Sequence, residues 1–157
     1  ISGTDNRAAL ADLLGQWIDR DHERKPQKWI MLDMDSPVSL THGAQQGTAS
    51  NGHFGCMCYH PLFVFNQFGH LERCALRLGN VHSLNDWEAV LKPVIARYAQ
   101  HDLKRVFRGD AAFAIPKLYE TLEASGYYYA IRLRTIAFCK LRLRICSSAR
   151  WDVHQKA

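Results

Sequence analysis

Residues 29–37, WIMLDMDSP, and residues 103–113, LKRVFRGDAAF, are two apolar runs that each lead to an aspartate, Asp35 and Asp110. In the first, Ile30, Leu32 and Met34 fall on one side of an extended chain. Met31, Asp33 and Asp35 fall on the other side, the period-two pattern of a strand. The second run is a strand leading to Asp110. Rigid strands place side chains accurately, and two carboxylates brought together suit a hard divalent cation, Mg²⁺ or Mn²⁺, which takes oxygen ligands and shares them with substrate phosphates. The pair therefore points to metal-assisted phosphoryl transfer. Asp33 lies on the same strand face as Asp35 and is a further candidate ligand. The plainer reading is that each aspartate caps a turn: Asp35 precedes Ser36-Pro37, and Asp110 stands between Gly109 and Ala111-Ala112.

Working outward, residues 7–20 carry Leu10, Leu13, Leu14, Trp17 and Ile18 at the spacing of an amphipathic helix. The charged stretch 19–28, broken by Pro26, reads as a linker. Val38 and Leu40 prolong the first strand beyond Pro37. Residues 42–55 (HGAQQGTASNGHFG) have loop chemistry. Residues 56–65, interrupted by Pro61, and 71–78 are strand patterns that flank a turn at 66–69 and form a hairpin. Asn85-x-x-Glu88 resembles a helix start, and Trp87, Val90, Leu91, Val94, Ile95 and Tyr98 make its apolar stripe. Pro93 inside that stripe predicts a kink or a shorter helix. Pro116 opens another helix, with Leu118, Tyr119 and Leu122 on its buried face and Gly126 at its end. Residues 127–133 form a last strand.

The order is helix, then β–β–β–α–β–α–β. It predicts an α/β protein with a mixed-sheet RNase H-like core at 29–133, preceded by a short helix and linker at 1–28. In such a core the first strand is central and the fourth ends beside it, each carrying an acidic residue.

Length and composition limit the alternatives. A chain of 157 residues fits one domain. No run approaches ~18 consecutive apolar residues, so no transmembrane helix is expected. The first residues lack the basic-then-apolar order of a signal peptide, and the absence of an initial Met suggests a fragment or a processed chain. Residues 1–129 hold 13 Lys/Arg against 14 Asp/Glu, whereas 130–157 hold 7 against one. The basic excess is therefore confined to the end of the chain, where it reads as a solvated, disordered tail or a phosphate-binding patch. The five cysteines show no disulfide spacing. Cys56, Cys58 and His60 alternate as in a buried strand and lack the paired spacing of a zinc site. Reduced thiols point to the cytoplasm.

Several words of the sequence resemble one family when taken together: LDMDSP, HGAQQG, GHFG…YHPL, LRLGN and RGDAAF, in that order and across residues 10–133. They resemble the DDE-type insertion-sequence transposases of the group named IS thirteen-eighty. The resemblance implies bacterial DNA as the partner, both element ends and target, and homodimer as the assembly to test. It places the first catalytic aspartate on Asp35, with Asp33 as the weaker claimant, and the second on Asp110. It also sets His42 and Arg108 near the DNA.

After Leu133 the resemblance stops. RTIAFCKLRLRICSSARWDVHQKA contains no acidic residue except Asp152 and looks like a shifted reading frame. The family's third acid, a glutamate, is expected beyond this point, and losing one metal ligand removes several kcal/mol of transition-state stabilisation. The expectation is thus a truncated transposase, inactive alone. Glu120 and Glu123 read as helix surface charge. The competing readings are another RNase H-like nuclease, which needs a complete acidic site, a non-catalytic nucleic-acid-binding remnant, and a chain that does not fold stably.

Overall fold

The computed structural model describes residues 4–43 and 45–133. Helix α1 (Thr4–Arg24) leads to strand β1 (Trp29–Asp35), and three short strands follow: β2 (Ser39–Leu40), β3 (Ala49–Asn51) and β4 (Cys56–Tyr59). Next come the hairpin β5 (Leu62–Asn66) and β6 (Leu71–Ala75), helix α2 (Trp87–Tyr98), strand β7 (Lys104–Gly109), helix α3 (Pro116–Ala124) and strand β8 (Tyr127–Ile131). The main sheet has the order β6-β5-β1-β7-β8. Its first three strands pair antiparallel, and β7 and β8 join parallel. This is the expected mixed RNase H-like core with β1 at its centre. The tail at 134–157 lies outside the described residues.

The period-two reading of β1 holds: Ile30, Leu32 and Met34 are buried, while Asp33 is half-buried and Asp35 exposed. Those three residues pack with Leu62, Val64 and Phe107 against the stripe of α2 and against Leu118 and Leu122 of α3. Continuous apolar burial on this one face is what drives the sheet and helices together. Pro116 opens α3 as expected, and Gly126, at φ +70°, ends it by donating its N–H to the Glu123 carbonyl at 3.0 Å.

Between β1 and β5 the chain departs from expectation. Val38 and Leu40 do not prolong β1, and residues 56–65 are not one strand. Ser39–Leu40 and Ala49–Asn51 instead pair with either side of Cys56–Tyr59, forming a second sheet in the order β2-β4-β3. Pro37 and Pro61 mark the two crossings, because a residue without an N–H interrupts the ladder. Part of the expected 42–55 loop is therefore strand β3. Its Asn51 is buried yet satisfied: Nδ2 donates to the Gly79 carbonyl at 2.6 Å, and Oδ1 accepts the N–H groups of His53 (2.9 Å) and Phe54 (3.2 Å). Gly79 cannot be anything larger, since a Cβ there would lie 2.2 Å from the Cys58 carbonyl oxygen and 2.6 Å from that of Ala49.

The helices bring further corrections. Helix α1 runs to Arg24, well into the expected linker. It meets the core through Gly15, which leaves room for the Arg97 side chain, and through buried Ile18. Leu10, Leu13 and Trp17 of its apolar stripe stay exposed. Helix α2 begins at Trp87 without a capping box: Asp86 is in the left-handed region (φ 58°) and makes no side-chain cap bond. It then continues through Pro93 to Tyr98. No described helix is long and apolar enough to cross a membrane.

One buried carboxylate ties α1, β6 and α2 together. Glu72 is fully buried and accepts from Asn66 Nδ2 (2.9 Å) and Tyr98 Oη (2.7 Å), and it forms an ion pair with Arg97. Arg97 in turn lies 3.9 Å from Asp19 of α1. A buried charge requires this degree of pairing.

Candidate active site

Strands β1 and β7 pair in parallel from Trp29↔Lys104 to Met34↔Gly109, a constant offset of 75 residues. Continuing that register by one residue sets Asp35 beside Asp110, and Asp110 is still extended (φ −78°, ψ −179°). Neighbours across a parallel ladder project to the same side, on strands about 4.8 Å apart. Each carboxylate is steadied by a nearby backbone N–H: Ser36 donates to Asp35 Oδ1 at 2.8 Å and Ala112 to Asp110 Oδ1 at 2.9 Å. Among the described residues neither Oδ2 has a hydrogen-bond partner. The turn-capping reading is realised at both aspartates, and each capping bond occupies one oxygen and leaves the other without a partner among the described residues.

The same register pairs Asp33 with Arg108, and their side chains form an ion pair on the strand face. That contact raises the Arg108 pKa, first through the hydrogen bond and then through the charge of Asp33. Asp33 is thus already engaged, and Arg108 stays largely open to solvent.

A cleft of about 500 Å³ opens at this strand end, lined among others by Ser36, His53, Asn80, His82, Ser83 and Asp110. Buried His60 also lines it, and buried Arg77 bonds to several of its lining residues. Arg77 Nε donates to the His60 carbonyl (2.9 Å), Nη1 to the carbonyls of Ser83 (3.1 Å), His82 (3.4 Å) and Asn85, and Nη2 to Ser36 Oγ (2.6 Å). Burial pulls the Arg77 pKa below its ordinary value, and the charge of Asp86 opposes this. The His60 ring bridges the same parts, with Nδ1 2.9 Å from the Val81 carbonyl and Nε2 3.0 Å from that of Ser36. Together they fix the residue after Asp35 to the 78–86 loop.

The expected site residues are thus partly assembled. Asp35 and Asp110 adjoin by continuation of the register, and Asp33 and Arg108 sit two residues back on the same face. His42 is exposed on the β2–β3 connection and is not among the residues lining the cleft. Cys58 is a buried thiol with its pKa raised by desolvation, as a strand interior requires. Sequence reading expected His60 to be buried but gave it no part in the site, and it did not single out Arg77, Asn80 or His82. The signal for Arg77 was present in LRLGN, where an arginine stands between two leucines and before an obligatory glycine.

A family model described as Transposase DDE domain group 1 matches residues 2–156. The chain belongs to this family. No curated protein matches it. Among solved structures, this DDE transposase domain is similar to a piggyBac transposase in a synaptic complex with hairpin DNA, at 14% identity and TM-score 0.52. That match covers 81% of this chain and 27% of the other, so the domain spans about a quarter of that transposase. It is also similar to the catalytic domain of Mos1 mariner transposase, at 11% identity and TM-score 0.46, covering 98% and 78% of the two chains. The first likeness supports the fold read from the strand order.

DDE transposase domains belong to a family of phosphoryl-transfer enzymes that use divalent metal ions. The donor set here fits such an ion in kind: two carboxylates on rigid strand ends, each with one oxygen unpaired among the described residues. It is incomplete in number, since no three His, Cys, Asp or Glu among the described residues form a metal-binding group.

Proposed function

We propose that this chain is the catalytic core of an insertion-sequence transposase of the IS thirteen-eighty group, acting on DNA with Mg²⁺ or Mn²⁺ held by Asp35 and Asp110. The observation that carries this reading is the β1–β7 register, which ends at Met34↔Gly109 and makes Asp35 and Asp110 the next residue of each parallel chain. When bound, the divalent ion supplies Lewis-acid polarisation of the phosphate and stabilises negative charge on oxygen. The protein residues supply position. The Ser36 and Ala112 N–H groups hold each Asp Oδ1, so the two Oδ2 atoms present a fixed pair of hard donors. Arg77 ties the Ser36 side chain, immediately after Asp35, to the 82–85 carbonyls.

With two acids among the described residues, the expected behaviour is metal binding with little strand cleavage unless a third acid is supplied from elsewhere. Mn²⁺ titration followed by electron paramagnetic resonance tests the reading. Wild-type protein should bind Mn²⁺, and Asp35→Asn and Asp110→Asn should each weaken binding at least about tenfold, the loss of one charged ligand. Equal Mn²⁺ affinity in all three proteins refutes the assignment.

The second reading, a nucleic-acid-binding remnant without catalysis, is favoured by the basic excess at 130–157. Mn²⁺ binding separates the two. Mn²⁺ binding lost in Asp110→Asn supports the catalytic core, and DNA binding with no Mn²⁺ binding by any variant supports the remnant.

A further inference from the structure

The loop at residues 80–83 is more rigidly held than a surface turn requires. The carbonyls of Val81, His82, Ser83 and Asn85 all turn inward, the first to His60 and the others to Arg77. Two backbone bonds brace it as well, Val81 N–H to the Leu78 carbonyl (3.3 Å) and Asn85 N–H to the His82 carbonyl (2.9 Å). Burying a guanidinium whose hydrogen bonds among the described residues go to carbonyls and a hydroxyl, with Asp86 acting only through its charge, is costly, and a plain turn does not call for one. With the backbone polar groups committed inward, Asn80 and His82 are left exposed on the wall of the cleft that Asp110 shares.

The state of the His82 ring follows from one contact. Its Nδ1 accepts the Leu84 N–H at 3.2 Å, so Nδ1 carries no proton and the proton of the neutral ring sits on Nε2. Nε2 makes no hydrogen bond among the described residues. A fixed loop therefore presents a donor with a defined tautomer beside a carboxylate that is itself placed to hold a cation. Anionic oxygen suits that combination: the donor and the cation both attract it, and the donor offsets part of the repulsion from Asp110. The cleft volume, about 500 Å³, is on the scale of a small-ligand pocket and much smaller than a duplex. His53 and Phe54 also line it, their rings edge-to-face with centroids 4.8 Å apart.

We propose that residues 80–83 form a phosphodiester-binding wall, with His82 Nε2–H donating to a non-bridging phosphate oxygen of a DNA strand that runs past Asp110. Arg77 is its positioning residue. This deepens the proposed function and rests on Asp110 facing the same ligand.

The test uses the full chain, a short fluorescein-labelled single-stranded oligonucleotide with Mg²⁺ at about 0.15 M salt, where long-range charge attraction is largely screened, and the Mn²⁺ titration described above. His82→Ala should weaken oligonucleotide binding about tenfold, the worth of one hydrogen bond to a charged group. It should leave Mn²⁺ affinity unchanged. His82→Gln, which keeps an N–H donor, should recover most of the loss, and Arg77→Lys should weaken oligonucleotide binding with the fold intact by circular dichroism. Inorganic phosphate should compete far less well than the unlabelled oligonucleotide; equal competition would make the site one for the free anion and overturn the strand assignment. Unchanged oligonucleotide affinity in His82→Ala overturns the proposal whatever the Mn²⁺ titration shows. Loss of Mn²⁺ binding in His82→Ala would make the ring a metal ligand and overturn it as well. If Asp110→Asn has no effect on Mn²⁺ while His82→Ala weakens the oligonucleotide, the metal assignment fails and the phosphate wall stands.

Discussion

Glu72 and Arg77 lie five residues apart, both are buried charges, and the fold treats them differently. Glu72 faces a cation, Arg97, and its remaining capacity is filled by Asn66 and Tyr98, so β6, α1 and α2 are tied at one point. Arg77 forms no ion pair with a carboxylate among the described residues. It is surrounded by loop carbonyls and the Ser36 hydroxyl. The first arrangement neutralises a charge and joins secondary structure elements. The second spends a charge on the shape of a loop beside Asp35 and Asp110. Stability should therefore depend more on Glu72, and function more on Arg77.

The largest expected effect is Glu72→Ala. It leaves the partly buried Arg97 guanidinium only its longer contact with Asp19 and should cost about 3 kcal/mol, the low end of the penalty for halving a buried pair. The denaturation midpoint in urea measures it. Arg77→Met should cost less, about 1–3 kcal/mol, because carbonyls lose a donor while a desolvated charge is also removed. The same variant should lose most of its oligonucleotide binding. An Arg77→Met protein as unstable as Glu72→Ala would break the comparison, since Arg77 would then be a fold residue first.

A pH titration sharpens the Glu72 side. Burial and then the Glu72 charge raise the pKa of Tyr98, and burial raises that of Tyr127. A raised folded-state pKa contributes stability that is present below the unfolded value, about 10 for tyrosine, and is lost as pH rises above it. Stability should therefore fall from about pH 10 upward, and Tyr98→Phe should flatten that fall. Tyr127→Phe should flatten it too while costing nothing at neutral pH, because the Tyr127 hydroxyl is buried with no partner among the described residues. An alkaline limb unchanged in both variants would place the titrating group elsewhere.

The smallest effect is expected at the exposed pair. Asp33→Asn should leave the denaturation midpoint unchanged, as solvent-exposed ion pairs contribute little, and should leave Mn²⁺ binding intact. Mn²⁺ binding lost in this variant would move the first ligand from Asp35 to Asp33.

Much of the core was legible because burial on one sheet face forces period two. Ile30, Leu32 and Met34 announce β1, and the stripe from Trp87 to Tyr98 announces α2. The second sheet was not legible. Cys56–Tyr59 and Leu62–Asn66 are both alternating runs, and nothing local says that Pro61 sends them to different sheets. The exposed stripe of α1 shows the converse: Leu10, Leu13 and Trp17 have the right spacing for burial but meet no partner among the described residues. Of the site, the two aspartates were readable and their support was not, since Arg77 contacts residues from 36 to 85.

The sequence by itself determined the order of strands and helices in the main sheet's core, the acidic residues that end β1 and follow β7, and the glycine at 126, because these follow from side-chain period and local backbone sterics. Only the tertiary structure decided that Asp35 and Asp110 are neighbours, that Asp33 is held by Arg108, and that the 80–83 loop is fixed from beneath. Those facts depend on strand register and on a buried side chain's choice among distant carbonyls, both of which are set by the packing of the whole core.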